Sequence, residues 1–495
     1  MERETLEDHL RRATRNFTSA LPEDRVLGLG LDLARELARA HAASPPRHPD
    51  LEPRSIAMTG GAPALEGGTT EGDAAEDLFR LGALLSALAT GTEASVAWRL
   101  DGPPAASLST LARRSVLAAM AAPRRSNRFA SASAAALALD AALAAGPPGP
   151  APWPLFRGDP GRTGARASPP AASLEPLWDA PLGPVVASPL VTADAVIAAT
   201  LDGRLVWLDP GSGRTLHEMR VATAIESSPA LGGDQRTLHA GTDDGEMVGV
   251  DVVEGRELSR VKVGRLVRSS PLPVGDRVVV GVVEGKSGGV VALDAAKGTP
   301  AWARKMGPVF CSPAVAGPRV MVGSDDGSVY ALDPAKGTVL WSAPMAGKVR
   351  ATPAVSGDVA IVADFGGRLA ALRVADGARS WTLELGHAAY SSPCVHAGLA
   401  VMGCNEGHLH AVDLSTGQAR FEVQTRGPVV SSPLAAGDVF LCGSTDGSLY
   451  LVDGAGRVAG RREVAAGGIQ SSPALDGDRV FIGSASGVHA LRLIP

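Results

Sequence analysis

Lysine is nearly missing from this 495-residue chain: six occur, none before Lys262, while the other 41 basic residues are arginine. With the abundance of alanine, this imbalance points to a GC-rich bacterial genome, and it leaves the first half without a side-chain amine. A basic excess is missing too. Lys+Arg 47 against Asp+Glu 52 gives a net charge of -5, which argues against a general binder of nucleic acid or anionic membrane. Four cysteines (Cys311, Cys394, Cys404, Cys442) are too few for a disulfide scaffold, and no C-x-x-C-H haem motif occurs. No run of about 18 apolar residues is present, so no transmembrane helix and no membrane insertion are expected. The opening stretch MERETLEDHLRRATRNF is charged where a signal peptide needs its apolar core, and it offers no lipid-acceptor cysteine. A cytoplasmic location is expected.

Glycine (59) and proline (37) are plentiful, which implies many turns and short elements. The segment GPPGPAP, Gly146 to Pro152, separates two textures. Upstream the chain is rich in Ala, Leu and Arg, with apolar residues three and four apart, as in Asp24 to Ala43 and Ala132 to Ala145, the helical pattern. Downstream it is rich in Val, Gly, Asp and Ser, with short apolar runs between turn signals, the strand pattern.

A small-Ser/Thr-Pro unit recurs at Pro189, Pro229, Pro271, Pro313, Pro353, Pro393, Pro433 and Pro473, spaced 40, 42, 42, 40, 40, 40 and 40 residues apart. Each is followed by an apolar strand, in most copies by a turn such as Asp202-Gly203, Asp244-Gly245, Asp326-Gly327, Glu406-Gly407 or Asp446-Gly447, and by a second strand (LVWLD, VYALD, LYLVD). A Gly turn and a last strand opening on an aromatic (Trp302, Trp341, Trp381, Phe421) complete the unit. Four strands in about 40 residues make one propeller blade, and eight repeats imply an all-β eight-bladed propeller. The last repeat stops one strand short. Leu174 to Ala180, with Trp178 in the aromatic position, is expected to supply that strand and close the ring, which removes open sheet edges. The expected domains are a helical domain at 1–145, a Pro/Gly-rich linker and lead-in at 146–173, and the propeller at 174–495.

The repeat S-S-P-A, D-G-x-L-Y-A-L-D, G-x-x-x-W resembles the pyrroloquinoline-quinone-like propeller repeat shared by quinoprotein dehydrogenases and the propeller subunit of the bacterial outer-membrane β-barrel assembly machinery. The lead-in from Trp153 to Gly164, WPLFRGDPGRTG, is similar to the segment that often precedes such repeats. The resemblance covers 153–495 and implies fold; one fold serves both catalytic and binding members. The dehydrogenases combine the quinone with Ca²⁺ held by carboxylate and amide oxygens, an Asp base and, in some, paired adjacent cysteines. None of these sets is visible here. Acidic residues sit in repeated turn slots, where turn geometry explains them, and the cysteines sit in strand-like contexts that read as buried thiols. His408 and His410, two apart on a strand, share a face, but no third metal ligand of matching register accompanies them. No catalytic, cofactor-binding or metal-binding residues are therefore expected, and no cofactor.

The repeats align internally, so slots that vary can be separated from slots that do not. The position just before the small-Ser/Thr-Pro unit holds Val186, Glu226, Arg268, Phe310, Arg350, Tyr390, Val430 and Gln470. It should lie where the chain enters the innermost strand, near the rim of the central channel. Glu226, Arg268, Phe310, Arg350, Tyr390 and Gln470 form the candidate protein-binding rim, since Arg and Tyr are enriched at binding hot spots.

Residues 1–145 resemble the helical C-lobe of protein kinases. Thr5 to Arg12 stands for its first helix, Leu21 to His41 for the long helix before the catalytic loop, and Arg47 to Ile56 (RHPDLEPRSI) for H-R-D-L-K-P-x-N-I. Glu76 to Gly91 and Leu117 to Ser131, with Arg128, follow in order. Phosphoryl transfer needs a Gly-rich loop, a phosphate-binding Lys and Mg²⁺-holding Asp and Asn. Asp50 remains, but Pro49, Glu52 and Ser55 replace the Arg, Lys and Asn, and no D-F-G or A-P-E follows. A degenerate small all-α kinase-C-lobe-like domain before a propeller is expected, the whole a non-catalytic scaffold or regulatory adaptor for protein partners. A quinone-binding propeller is the competing reading.

Overall fold

The computed structural model describes helix α1 (Glu23–His41), strands β1 (Ala57–Thr59) and β2 (Ala62–Ala64), Leu81, and residues 153–495. The chain divides into two units, Met1–Gly149 and Pro150–Pro495.

In the first unit, α1 falls inside the helix expected at 21–41. It buries Leu31, Leu33, Ala34 and Leu37 and exposes Asp32 and Arg35, the stripe that its apolar spacing dictates. Strands β1 and β2 pair antiparallel, Thr59 opposite Ala62, where the all-α reading expected no strand. The remaining kinase-lobe-like segments (5–12, 47–56, 117–131, and 76–91 apart from the buried Leu81) lie outside the described residues.

The second unit is eight sheets in chain order, antiparallel within each blade. Blades 1 to 7 occupy residues 190–220, 230–262, 272–306, 314–344, 354–384, 394–424 and 434–463; blade 8 combines 474–494 with an earlier strand. Strands β3 (Ala165–Arg166) and β4 (Ser173–Ala180) precede them all. In each blade the two middle strands are apolar on both faces, because both are covered by neighbouring blades. Ala360, Val362, Ala370 and Leu372 of blade 5 thus share a core with Met321, Val329 and Ala331 of blade 4. The outermost strands alternate exposed and half-buried residues, as in Arg379–Glu384.

Ring closure follows the strand count. β4 lies antiparallel to Val488–Ile494, from Ala180 opposite Val488 to Ser173 opposite Ile494. Trp178 takes the outer aromatic position and does what its counterparts do. The indole N–H groups of Trp178, Trp302, Trp341 and Trp381 donate to Pro210, Pro334, Val374 and Leu414 carbonyls of the next blade at 2.9–3.1 Å. Each ring also rests on a glycine of that blade's turn. Gly337 has φ +66°, and a Cβ there would stand 2.4 Å from the Trp302 ring, so the repeated Gly is required by both conformation and contact.

The repeated Ser-Pro unit is a second stitch, close to the axis. The backbone N–H of the hydroxyl residue before each proline donates to the hydroxyl of its counterpart one blade on: Ser188 to Ser228, Ser228 to Ser270, Ser270 to Ser312, Ser312 to Thr352, Thr352 to Ser392, Ser392 to Ser432, Ser432 to Ser472, all at 2.9–3.2 Å. The residue before it works within its own blade, Ser227 Oγ accepting from Gly241 N–H at 3.1 Å and Cys311 Sγ from Gly323 N–H at 3.2 Å. At the seam between blades 8 and 1, Ser188 Oγ has no partner, and Ser471 Oγ instead donates to Ala187 O at 2.9 Å. Ser392→Ala therefore orphans the buried Thr352 N–H and should cost about 1–3 kcal/mol in urea unfolding. Ser188→Ala, which removes a hydroxyl accepting nothing, should fall within about 0.5 kcal/mol of the parent; equal losses for the two would contradict the ring.

Candidate interaction rim above a plugged axis

Each innermost strand pairs on one edge only, and its other edge faces the axis with unspent N–H and C=O groups. Such groups, once buried, need partners. The lead-in supplies them by making one lap inside the ring, in blade order. Trp153 exchanges two hydrogen bonds with Val191 of blade 1, and Pro154 O accepts from Leu231 N–H of blade 2. Pro160, Gly161, Thr163 and Gly164 carbonyls accept from Val315, Val355, Val395 and Ala435 of blades 4 to 7. Strand β3 then runs parallel to Leu434–Ala436, and β4 completes blade 8. From Trp153 onward the stretch expected as linker and lead-in is thus an integral part of the propeller.

Two arginines finish the arrangement. Arg157 and Arg162 are 2% and 0% exposed, and both have positive φ, 67° and 60°, a conformation that is uncommon off glycine. Arg162 donates to Pro271 O at 2.9 Å and to Pro313 O at 3.0 Å; Arg157 donates to Pro393 O at 2.8 Å and to Pro433 O. The prolyl carbonyls are those of the repeated Ser-Pro unit in blades 3, 4, 6 and 7. Burial lowers both guanidinium pKa values, Arg162 to about 9, and carbonyl dipoles rather than a paired carboxylate hold the charge. Gly164 is needed where the Arg157 guanidinium passes, since a Cβ would stand 2.3 Å from it.

The candidate residues stand on the loops entering the innermost strands. Five consecutive slots form an arc of two contact clusters, one at Glu226 and Arg268 and one at Phe310, Arg350 and Tyr390. Arg268 pairs with Glu226 at 2.9 Å and with Asp243 at 2.8 Å. Arg350 forks onto Asp325 at 2.9 and 2.7 Å and lies over the Phe310 ring at 4.3 Å and the Phe365 ring at 5.2 Å. Phe365 meets Tyr390 edge to face at 4.4 Å, and Tyr390 is 43% exposed. Gln470 is exposed and stands apart from this arc, between the half-buried Val430 and Val186. Sequence reading missed Asp243, Asp325 and Phe365, which project from the middle turn of each blade. A signal existed: each Arg–Asp pair is separated by 25 residues, so the internal alignment carries a matched Asp and Arg in two blades.

The other candidates have structural roles. Asp202 accepts from Thr200 Oγ1 at 2.5 Å, Asp326 from Tyr330 Oη at 2.9 Å and Asp244 from Thr223 N–H at 2.8 Å. All four thiols are free and buried; burial pushes Cys394 up to about 11 and Cys311 and Cys442 up to about 12, which leaves them protonated and unreactive. His387, His408 and His410 stand in a row, ring centroids 5.8 and 5.7 Å apart, with Glu422 against His410 at 3.5 Å. His387 is the neighbour that the sequence could not place. Among the described residues no three His, Cys, Asp or Glu side chains could hold a metal ion. The lead-in backbone and the two guanidiniums line the inner edges of the innermost strands.

The sequence model of the family described as outer membrane protein assembly factor BamB matches residues 170–270, 201–309 and 286–494. The chain belongs to that family. The BamB crystal structure from Moraxella catarrhalis is 20% identical, with a TM-score of 0.58 over 65% of this chain and 98% of that one. The same BamB-type fold is similar to the quinohemoprotein alcohol dehydrogenases of Pseudomonas putida HK5 (15% identical, TM-score 0.59, 70% of this chain and 80% of that one) and Comamonas testosteroni (14%, 0.59, 69% and 80%). At such identities the likeness is one of fold. No curated protein matches the chain.

Arg162→Met leaves three carbonyls unpaired inside the BamB-type ring, those of Phe156, Pro271 and Pro313, and should cost about 3 kcal/mol or more in denaturant unfolding. Arg166→Met, which removes a part-buried bond to Gly158 O, should cost under about 1 kcal/mol. Burial lowers His239 to about 4. The unfolded chain takes up this proton below about pH 6.5 while the folded one does not, so stability should fall from pH 6.5 toward 4, by up to about 3 kcal/mol. His239→Gln should flatten that slope in thermal melts across the range.

Proposed function

We propose that this chain is a non-catalytic protein-interaction scaffold or regulatory adaptor, with the rim arc of blades 2 to 6 as its docking face. The contiguous contact of Phe310, Arg350, Phe365 and Tyr390 carries the reading. Rim residues that had merely drifted would not be expected to combine a forked Arg–Asp pair, ring stacking and an exposed tyrosine, the mixture found at binding hot spots. The lap of lead-in around the axis supports binding over quinone chemistry, because in six of the eight blades it already takes an innermost-strand N–H. The first unit, read as a kinase lobe without its phosphate and magnesium groups, would serve as a second surface.

A cytoplasmic location goes with this proposal. Four free thiols suit a reducing compartment. Thermal melts of the full chain test the function. Pyrroloquinoline quinone with Ca²⁺, and separately ATP with Mg²⁺, should leave the melting temperature unchanged, and the quinone spectrum should be that of the free cofactor. A saturable rise with either one would replace the scaffold reading by a ligand-binding one.

A further inference from the structure

The rim arc has two chemically different ends. At blades 2 and 3 two carboxylates share one cation: Glu226 and Asp243 both pair with Arg268, and Arg268 is their sole cationic neighbour among the described residues. The nearby Asp244 is occupied by Thr223 through its N–H and hydroxyl, and Lys262 is turned to the Asp244 backbone carbonyl. One negative charge is left over on these half-buried carboxylates. Burial and the neighbouring Asp243 push the Glu226 carboxyl upward, with Arg268 opposing, so a second cation here would relieve an existing strain.

At blades 4 to 6 the end is aromatic. Phe310 and Phe365 flank Arg350, whose charge is taken by the nearly buried Asp325. Tyr390 stands edge-on to Phe365 with much of its surface open. Lys348 reaches the same Asp325 at 3.6 Å. By the same count Arg350 and Lys348 share one carboxylate, so this end offers ring faces and edges beside a surplus cation and no surplus carboxylate. The three remaining slots (Val430, Gln470, Val186) carry neither kind of group.

We infer that the occupant of the rim is a protein segment carrying an arginine or lysine that joins Arg268 on the Glu226 and Asp243 carboxylates, and an apolar or aromatic side chain that lies on Tyr390 and Phe365. This rests on the rim being the docking face. Complementary charge sets which partner is accepted, and the aromatic contact supplies most of the affinity.

The test uses the full chain and fluorescein-labelled Gly/Ser peptides carrying one Arg and one Trp at varied separations, read by fluorescence polarisation. Matched peptides carry Asp for Arg or Ser for Trp. The best Arg–Trp peptide should bind about tenfold tighter than its Asp–Trp counterpart. The isosteric pair Glu226→Gln and Asp243→Asn should reduce that preference to about twofold, and Tyr390→Ser should weaken Trp-bearing peptides about tenfold while sparing the Arg preference. Equal binding of Asp–Trp peptides, an unchanged preference in the Gln/Asn variant, or no saturable binding at all overturns the proposed ligand chemistry. A photo-crosslinking residue at position 390, with position 340 on an outer strand as control, separates this from the broader reading. A host protein captured at 390 and not at 340 keeps the docking face even when the peptides fail; capture at 340 alone removes both.

Discussion

Eight innermost strands turn one unpaired edge toward a common axis, and the burial of those edges is the constraint on which the rest of the structure depends. Water could satisfy an open channel, but an axis filled with protein needs a donor for every C=O and an acceptor for every N–H. The lead-in meets much of this with its own backbone carbonyls, taken in blade order. Where its backbone has no donor to offer, Arg157 and Arg162 reach the prolyl carbonyls of four blades. Their positive φ angles and the glycines beside them follow from that geometry. Because the same segment continues into β4, the axis and the outer seam of blade 8 are closed by one stretch of chain.

Repetition explains most of the remaining residues. The Ser-Pro unit passes a hydrogen bond from blade to blade near the axis, and the Trp and Gly pairs do the same at the periphery. The contacts are local between neighbours, as expected of stacked repeats. Function is then left to positions that the repeat does not need, which is why a rim of unlike residues can sit on eight nearly identical units. It also explains why dehydrogenases and an assembly factor share the fold. The fold constrains the loops very little.

Much of the propeller was legible from the chain. Blade number came from the proline spacing, closure from Trp178 in the aromatic position, and the rim slot from internal alignment. Less was legible of the contacts. Asp243 and Phe365 reach the rim from turns that the alignment treats as structural, and His387 joins His408 because adjacent blades bring them together. The lead-in was recognisable as a motif but not as a plug: its role lies in carbonyls and in bonds between residues 109 to 276 apart, such as Arg162 to Pro271 and Arg157 to Pro433.

By itself the sequence determined the blades, their order, their turns and the strand that closes the ring, because strand periodicity and glycine geometry act over a few residues and repeat. Only the tertiary structure decided what fills the axis and which unlike side chains meet on the rim. Those outcomes depend on how eight strand edges and eight loops converge on one centre, and no local pattern encodes that distance.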